Sequence, residues 1–274
     1  AAAGNFLDHY AGGWQEVLPA GNGPVTFMGA DIGLHGEAAL LPWWAEVVAD
    51  TPERVAVRMG VALRRTPFTL GRTITLDEGS LGIGWEGRIV NEGDLELPYM
   101  WGQHAAFGAP FVEAGCRIDL PPATVTTLPE PYSRGMRFAV RQRDVPWPNL
   151  RTVAGDMAPA DVVPGPDVRS HDTFNITPAA GWFAIRNPAR DLGFAMVWNH
   201  DVFPHLWAWQ VYRGFWDSPY FGRTHVLALE PFSSPMGSLT ENVERGTCQT
   251  LAAGASRELR LRAGFFPGAG EPVR

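Results

Sequence analysis

Four short segments set titratable side chains in apolar or glycine-rich company: Gly33-Leu34-His35-Gly36-Glu37, Trp101-Gly102-Gln103-His104-Ala105-Ala106-Phe107-Gly108, Ser170-His171-Asp172-Thr173-Phe174-Asn175 and Leu227-Ala228-Leu229-Glu230-Pro231-Phe232. The last is the most informative. On a strand, Val226, Ala228 and Glu230 share one face, and Leu227 and Leu229 share the other. Both faces are apolar, so Glu230 is expected to be buried at the end of a strand that Pro231 terminates. Burial raises a carboxyl pKa towards the range of a general base. An ion pair with an arginine would explain an isolated buried Glu equally well. His104, His35 and the His171-Asp172 pair each read singly as a core, loop or turn residue. Together they form a set of imidazoles and carboxylates able to move protons near neutrality, with ordinary pKa values of about 6.5 and 4. His9, His200, His205 and His225 have no comparable setting.

Composition excludes several other chemistries. All 22 basic residues are Arg, against 29 acidic ones, for a net charge of -7. Without a single Lys the chain cannot form a lysine Schiff base, hold pyridoxal phosphate on a lysine or build a lysine phosphate loop. No basic run marks nucleic acid as a partner. Cys116 and Cys248 have no paired spacing, so no zinc knuckle is encoded, and they read as two buried thiols in a reducing compartment. No apolar stretch approaches the ~20 residues that span a bilayer, so no membrane partner is expected. Ala1-Ala2-Ala3-Gly4-Asn5 carries neither a charged nor an apolar leader pattern, and the expected location is cytoplasmic.

The elements that must position these side chains read as strands. Val55, Val57, Met59, Val61 and Leu63 alternate with Ala56, Arg58, Gly60, Ala62 and Arg64, predicting a strand with one buried face. Leu81, Ile83, Trp85 and Ile89 alternate with Gly82, Gly84, Glu86 and Arg88, and Asn91-Glu92-Gly93-Asp94 closes that strand. Similar runs surround Trp207, Trp209 and Val211, then Val226 to Glu230, then Leu259 and Leu261. No amphipathic helix of three turns is apparent. The expectation is an all-β antiparallel sandwich in one domain spanning 1–274. A proline-rich loop region at about 121–170 carries nine prolines and little alternation. Long structured loops on such domains are usually functional. The 11 tryptophans, with pairs at Trp43-Trp44 and Trp207-Trp209, include candidates for stacking on the C–H faces of a sugar, although most are expected in the core.

In order, these segments resemble the galactose mutarotase (aldose 1-epimerase) superfamily. The residues that carry the resemblance are Leu34-His35-Gly36 followed by Trp43, Ile89-Val90-Asn91, Leu97-Pro98, Gln103-His104-Ala105-Ala106-Phe107, Ser170-His171-Asp172-Thr173-Phe174, Gln210-Val211-Tyr212-Arg213-Gly214 and Leu229-Glu230-Pro231, with Leu239 and the Leu259/Leu261 strand after them. The resemblance runs from about residue 12 to 266. It implies a large antiparallel supersandwich that binds a sugar on a concave face.

It further implies Glu230 as the base on the anomeric hydroxyl, His104 as the acid on the ring oxygen, and His35 as a hydrogen-bond partner near that oxygen. Asp172, His171 and Gln210 would hold other hydroxyls. The superfamily's substrate-binding Arg ahead of the Leu-His-Gly motif has no counterpart, since the first Arg is Arg54, and Trp14 and Gln15 stand in that region instead. The position after the second His is Ala105 where proline is usual. The expected activity is an aldose 1-epimerase-like isomerase acting on a small carbohydrate, with no cofactor and no metal. Two alternatives remain open at this point. One is a metal-dependent sugar lyase, isomerase or hydrolase that uses His35, His104, His171 and Glu230 as ligands. The other is a non-catalytic carbohydrate-binding module. Arg72, Arg186 and Arg213 are candidates to recognise an acidic substituent on the sugar.

Overall fold

Period-two alternation becomes two large antiparallel sheets packed face to face, in a computed structural model that describes residues 6–273. Ala1–Asn5, read above for a leader, lie outside the described residues. The chain enters through a short helix, α1 (Phe6–His9). The strands of the two sheets then follow as β1 (Trp14–Val17), β2 (Trp44–Asp50), β3 (Arg54–Ala62), β4 (Phe68–Asp77), β5 (Gly82–Asn91), β6 (Gly102–Gly108), β7 (Arg117–Asp119) and β8 (Ala123–Thr127). After them come β9 (Val145–Pro146), β10 (Ser170–Pro178), β11 (Trp182–Asn187), β12 (Leu192–Trp198), β13 (His205–Tyr212), β14 (His225–Phe232) and β15 (Ser256–Pro267). One sheet has the order β1-β6-β14-β13-β10-β8-β9, and the other β7-β11-β12-β15-β5-β4-β3-β2. This is the large antiparallel sandwich that the alternation predicts.

The main core lies between the sheets. Ala105, Phe174, Ile176, Leu206, Ala208, Leu227 and Leu229 of the seven-stranded sheet meet Leu70, Trp85, Ile89, Phe183, Ile185, Phe194 and Leu259 of the other. Each fully buried large apolar side chain contributes about 1.5–3 kcal/mol by leaving water. A smaller cluster of Val17, Met100, Trp207, Phe232, Met236 and Leu239 covers the opposite face of the seven-stranded sheet. That sheet is therefore buried on both sides, which explains why its strands carry apolar residues on both faces. A second short helix, α2 (Leu239–Glu244), opens with a capping box between Ser238 and Glu241 and covers part of this outer face.

Two expectations are modified. The Val55–Leu63 alternation holds only at its inner end: Val61 and Leu63 are buried, but Val55 pairs with Leu76 at the far end of the hairpin and both are exposed. Alternation in the sequence becomes burial only where another layer lies over the strand. The 121–170 region is also more than loop, because it contributes β8 and β9 to the sheet edge and a ribbon pairing Asn149–Arg151 with Met157–Pro159.

Candidate active site

The pleat of the seven-stranded sheet sorts the chemistry. β14 pairs with β6 so that Ala228 faces Ala106 and Phe232 faces Gly102, which sets Glu230 opposite His104. On its other side Glu230 pairs with Trp207, and His104 pairs with Gln15. One row across four strands thus reads Gln15, His104, Glu230, Trp207, all on the face away from the main core. The next rows of the same face carry Ala106, Ala228, Trp209 and Thr173, then Val226, Val211 and His171.

His104 Nε2 lies 3.6 Å from Glu230 Oε1, and both residues are nearly inaccessible, at 4% and 3% exposure. Burial raises the Glu230 carboxyl well above its ordinary range and lowers His104 to about 4. Desolvation favours the neutral form of each. The pair accordingly holds one proton, and burial places it on the carboxyl. His35 stands beside it, with ring centroids of His35 and His104 5.1 Å apart. Burial, and then the neighbouring imidazole, hold His35 well below its usual pKa.

The loop that delivers His35 is tightly specified. His35 itself has φ 61°, and its N–H donates to the Gly21 carbonyl at 2.9 Å. Gly36 follows at φ 74°, where a Cβ would lie 2.1 Å from the Leu18 carbonyl oxygen, so no larger residue fits. Glu37 then accepts the amide N–H groups of Arg64 and Arg65 on its two carboxylate oxygens and pins the loop to the opposite sheet.

These groups open onto a cavity of about 220 Å³ lined by His35, His104, His171, Glu230, Trp207, Trp209, Tyr132, Phe215, Tyr220, Thr173, Asn22, Leu7, Leu34 and Met236. Trp207 stacks on Phe232, and its indole N–H donates to the Ser234 carbonyl. His171 lines the wall with both ring nitrogens engaged. Nε2 accepts from the Trp209 indole at 3.0 Å, so Nδ1 carries the proton and donates to Ser133 Oγ at 2.9 Å. Its ring stacks on Phe215 at 4.1 Å, and burial lowers its pKa to about 4. His171 is a neutral, oriented wall, and Ser133, as the acceptor, is not an activated nucleophile. Among the described residues, no three His, Cys, Asp or Glu side chains are grouped to hold a metal ion, so the four-ligand arrangement weighed from the sequence is not assembled.

Residues 13–264 match the model of a protein family described as a domain of unknown function, DUF4432. The chain belongs to the DUF4432 family. No curated protein matches it. Among solved structures, a candidate aldose 1-epimerase from Klebsiella pneumoniae superposes with a TM-score of 0.69 at 19% identity, over 93% of this chain and 63% of that one. The DUF4432 chain thus spans less than two thirds of the length of that relative. A candidate aldose 1-epimerase from Escherichia coli K12 gives 0.61 at 14% identity, over 93% and 84%. A galactose mutarotase related enzyme from Lactobacillus acidophilus gives 0.61 at 13%, over 95% and 85%. At these identities the likeness is one of fold.

Three residues expected to hold sugar hydroxyls in this DUF4432 chain face the other way. Asp172, next to His171, points towards the main core, where Oδ1 accepts the amides of Arg137 and Phe138 at 2.8 and 2.9 Å. Burial still raises its pKa to about 6. Gln210 shares that face and donates to the Ala160 carbonyl. Both anchor the proline-rich segment to the sheet. Trp14 also faces inward, stacked 4.9 Å from Trp85 with its indole bonded to Gln103. Gln15, its neighbour, lies on the outer face beside His104.

Nor do the three arginines reach the cavity. Arg72 bridges the sheets, bonded to the fully buried Glu16 at 3.1 Å with its guanidinium over Trp43 and Trp85. Arg186 is paired with Asp119, and Arg213 is exposed. Sequence reasoning missed Tyr132, Phe215 and Tyr220, which come from turn-rich segments with no periodicity, and Phe6 and Tyr10, which lie ahead of the first strand.

Proposed function

We propose that this DUF4432 chain is an aldose 1-epimerase-like isomerase that exchanges the anomers of an uncharged sugar. The observation that carries this reading is the buried His104–Glu230 pair, 3.6 Å apart against an aromatic-walled cavity. Ring opening needs a base on the anomeric hydroxyl and an acid on the ring oxygen. Glu230 takes the O1 proton as His104 gives one to O5, the C1–O5 bond breaks, and C1 becomes an aldehyde. Rotation about C1–C2 presents the other carbonyl face. Glu230 then returns its proton to the carbonyl oxygen while His104 takes the O5 proton, and the ring closes as the other anomer. The pair ends with the one proton it began with, so nothing is consumed.

The resting proton sits on Glu230, and substrate must shift it. Glu230 Oε2 is buried without a hydrogen-bond partner. A sugar hydroxyl donating to it stabilises the carboxylate and favours passage of the proton to His104 Nε2. His35, held neutral, serves as a hydrogen-bonding group. The preference for an uncharged sugar rests on the absence of Arg from the lining among the described residues. An acidic substituent desolvated there would have no cation to pair with.

Saturation-transfer NMR of anomer exchange across neutral, acidic and phosphorylated aldoses tests the reading. Wild type is expected to exchange at least one neutral sugar, and Glu230→Gln to lose about 100-fold or more. Absence of exchange on every sugar would overturn the assignment. Binding without exchange would instead identify a carbohydrate-binding module.

A further inference from the structure

The cavity has a roof that the catalytic pair does not explain. Phe6 on α1 is buried, its ring 4.7 Å edge-on from His35 and 5.8 Å from His104. Tyr10 stacks on Phe6 at 5.1 Å, meets His104 edge-on at 5.1 Å and lies 6.3 Å from Trp209. From this segment it is Leu7 that lines the cavity, while Phe6 and Tyr10 pack on the imidazoles beside it. Five consecutive positions thus place two aromatic rings and an aliphatic chain over the two imidazoles beside Glu230.

The segment joins the sandwich through a pair of glycines. Gly12 and Gly13 have φ 91° and 88°, in the left-handed region, and a Cβ at Gly12 would meet nothing within 4 Å. Sheet-like bonding begins only at Gly13, whose carbonyl accepts the Ala106 N–H at 3.0 Å. Gln15, beside His104, donates to the Gly12 carbonyl at 2.7 Å, so a residue of the site face holds the glycine pair in place. A backbone free of side-chain obstruction at this point can rotate without disturbing β1.

Unpartnered atoms point to what the roof is for. The Tyr10 hydroxyl is buried with no hydrogen-bond partner, and so are Glu230 Oε2, Gln15 Oε1 and the Nδ1 atoms of His35 and His104. Buried polar groups are almost always satisfied. His35, His104 and Glu230 line the cavity and Tyr10 and Gln15 adjoin His104, so this group of unpartnered atoms calls for a ligand rich in donors and acceptors. A tyrosine hydroxyl can both give and accept a bond, as sugar hydroxyls require. Burial favours the protonated phenol, so it acts as a neutral partner. Access is the remaining point. His104 and Glu230 are covered, and about 220 Å³ is below the ~300–1,000 Å³ usual for ligand sites. Something must move to admit a sugar, and the ring-seated segment ahead of the glycines can do so.

We propose that Tyr10 is a substrate-binding residue of the sugar site, carried on a roof, Phe6–Tyr10, that hinges at Gly12–Gly13 and closes its hydroxyl onto the bound sugar. The inference rests on the epimerase reading. Tyr10→Phe keeps the ring contacts and removes only the hydroxyl. With the neutral sugar that wild type exchanges, KM is expected to rise roughly 3- to 15-fold, the worth of one hydrogen bond, with kcat within about threefold. Hydrogen exchange of the amides in residues 6–11 is expected to slow about tenfold when that sugar saturates wild type, and less in Tyr10→Phe.

An unchanged KM in Tyr10→Phe alongside normal wild-type turnover overturns the inference and leaves the epimerase reading intact. Sugar-independent amide exchange overturns the hinged roof. If wild type exchanges no sugar, the epimerase reading fails first. Titration of tryptophan fluorescence with the same sugars then decides the rest: binding weakened by Tyr10→Phe supports a Tyr10 contact, whereas no binding, or equal binding, removes it.

Discussion

Glu230 faces His104 across a gap in the β14–β6 ladder. Pairing is regular at Ala228 with Ala106 and again at Phe232 with Gly102, and between them the two catalytic candidates sit opposite one another. Pro231 has no N–H to give to a ladder, so the interruption is written into the sequence next to the carboxylate. Directly opposed side chains have Cβ atoms about 4.5–5.5 Å apart, close enough to share a proton through one substrate or one short hop.

The pH dependence of exchange follows from the one-proton requirement. Below about 4 His104 gains a second proton and neither group can act as base. Above the raised pKa of Glu230 the pair loses its only proton. The expected kcat/KM profile is a plateau that falls on the acid side near 4 and on the alkaline side well above the ordinary carboxylate range. An alkaline limb centred near 4.5 would contradict the buried, proton-sharing pair.

His171 should not titrate near neutrality. With Nε2 accepting from Trp209 and Nδ1 donating to Ser133, its neutral form is fixed by two bonds and by burial. Nitrogen-15 NMR is expected to show the Nδ1–H form throughout pH 5–8. Ser133→Ala should leave exchange within about fivefold, because a single hydroxyl acceptor on a wall residue is worth about 1 kcal/mol. A hundredfold loss would instead place Ser133 in the catalytic machinery.

Asp172 governs a different pH dependence, that of stability. Its folded pKa of about 6 lies above the ordinary value of 3.8, so its contribution is fully present below 3.8 and is lost as pH rises through 6. The difference corresponds to about 3 kcal/mol. Asp172→Asn keeps an oxygen for the Arg137 and Phe138 amides and does not ionise. Urea denaturation should show wild type losing up to about 3 kcal/mol relative to this variant between pH 4 and 7. Asp172→Ala should cost about 1–3 kcal/mol at pH 4 by stranding two amides. A pH-independent difference between wild type and the Asn variant would refute the raised pKa.

Arg72 and Glu16 form the polar tie between the sheets. Glu16 also accepts from the Trp101 indole and the Gln103 amide, and the site is otherwise aromatic. Arg72→Met leaves a buried carboxylate unpaired and should cost about 3–5 kcal/mol, whereas Arg72→Met with Glu16→Gln should recover most of it. A double-mutant cycle in urea gives both numbers. Equal losses in the single and double variants would mean that packing against Trp43 and Trp85, not charge, is what Arg72 supplies.

The sandwich was legible because alternation is a local signal, and Glu230, His104 and His35 were legible because each contrasts with its neighbours. The ladder registers put Glu230 and His104 on one face, and the Leu34–Gly36 loop brings His35 to it. What failed was parity. His171 and Asp172 are adjacent, as are Gln210 and Trp209, and Trp14 and Gln15. A strand sends adjacent side chains to opposite faces, so one member of each pair faces away from the cavity. Resemblance supplied the names of the segments but not which residue in each points outward. Tyr132 and Tyr10 were beyond reach for another reason. They arrive from a proline-rich turn and from the coil that follows α1 ahead of Gly12, and no period relates such positions to a face.

β1 is four residues long and lies at a sheet edge, where fraying ordinarily starts. Its successive side chains divide two duties: Gln15 holds the Gly12 carbonyl, and Glu16 is locked to Arg72 of the opposite sheet. Opening of the roof therefore stops at Gly13 and unstacks a few rings without unzipping a strand. The segment that meets the ligand is consequently insulated from the part that keeps the protein folded. Its sequence can drift towards a different ligand while global stability stays where it was, a form of modularity usually associated with long loops and here built from two glycines and one glutamine.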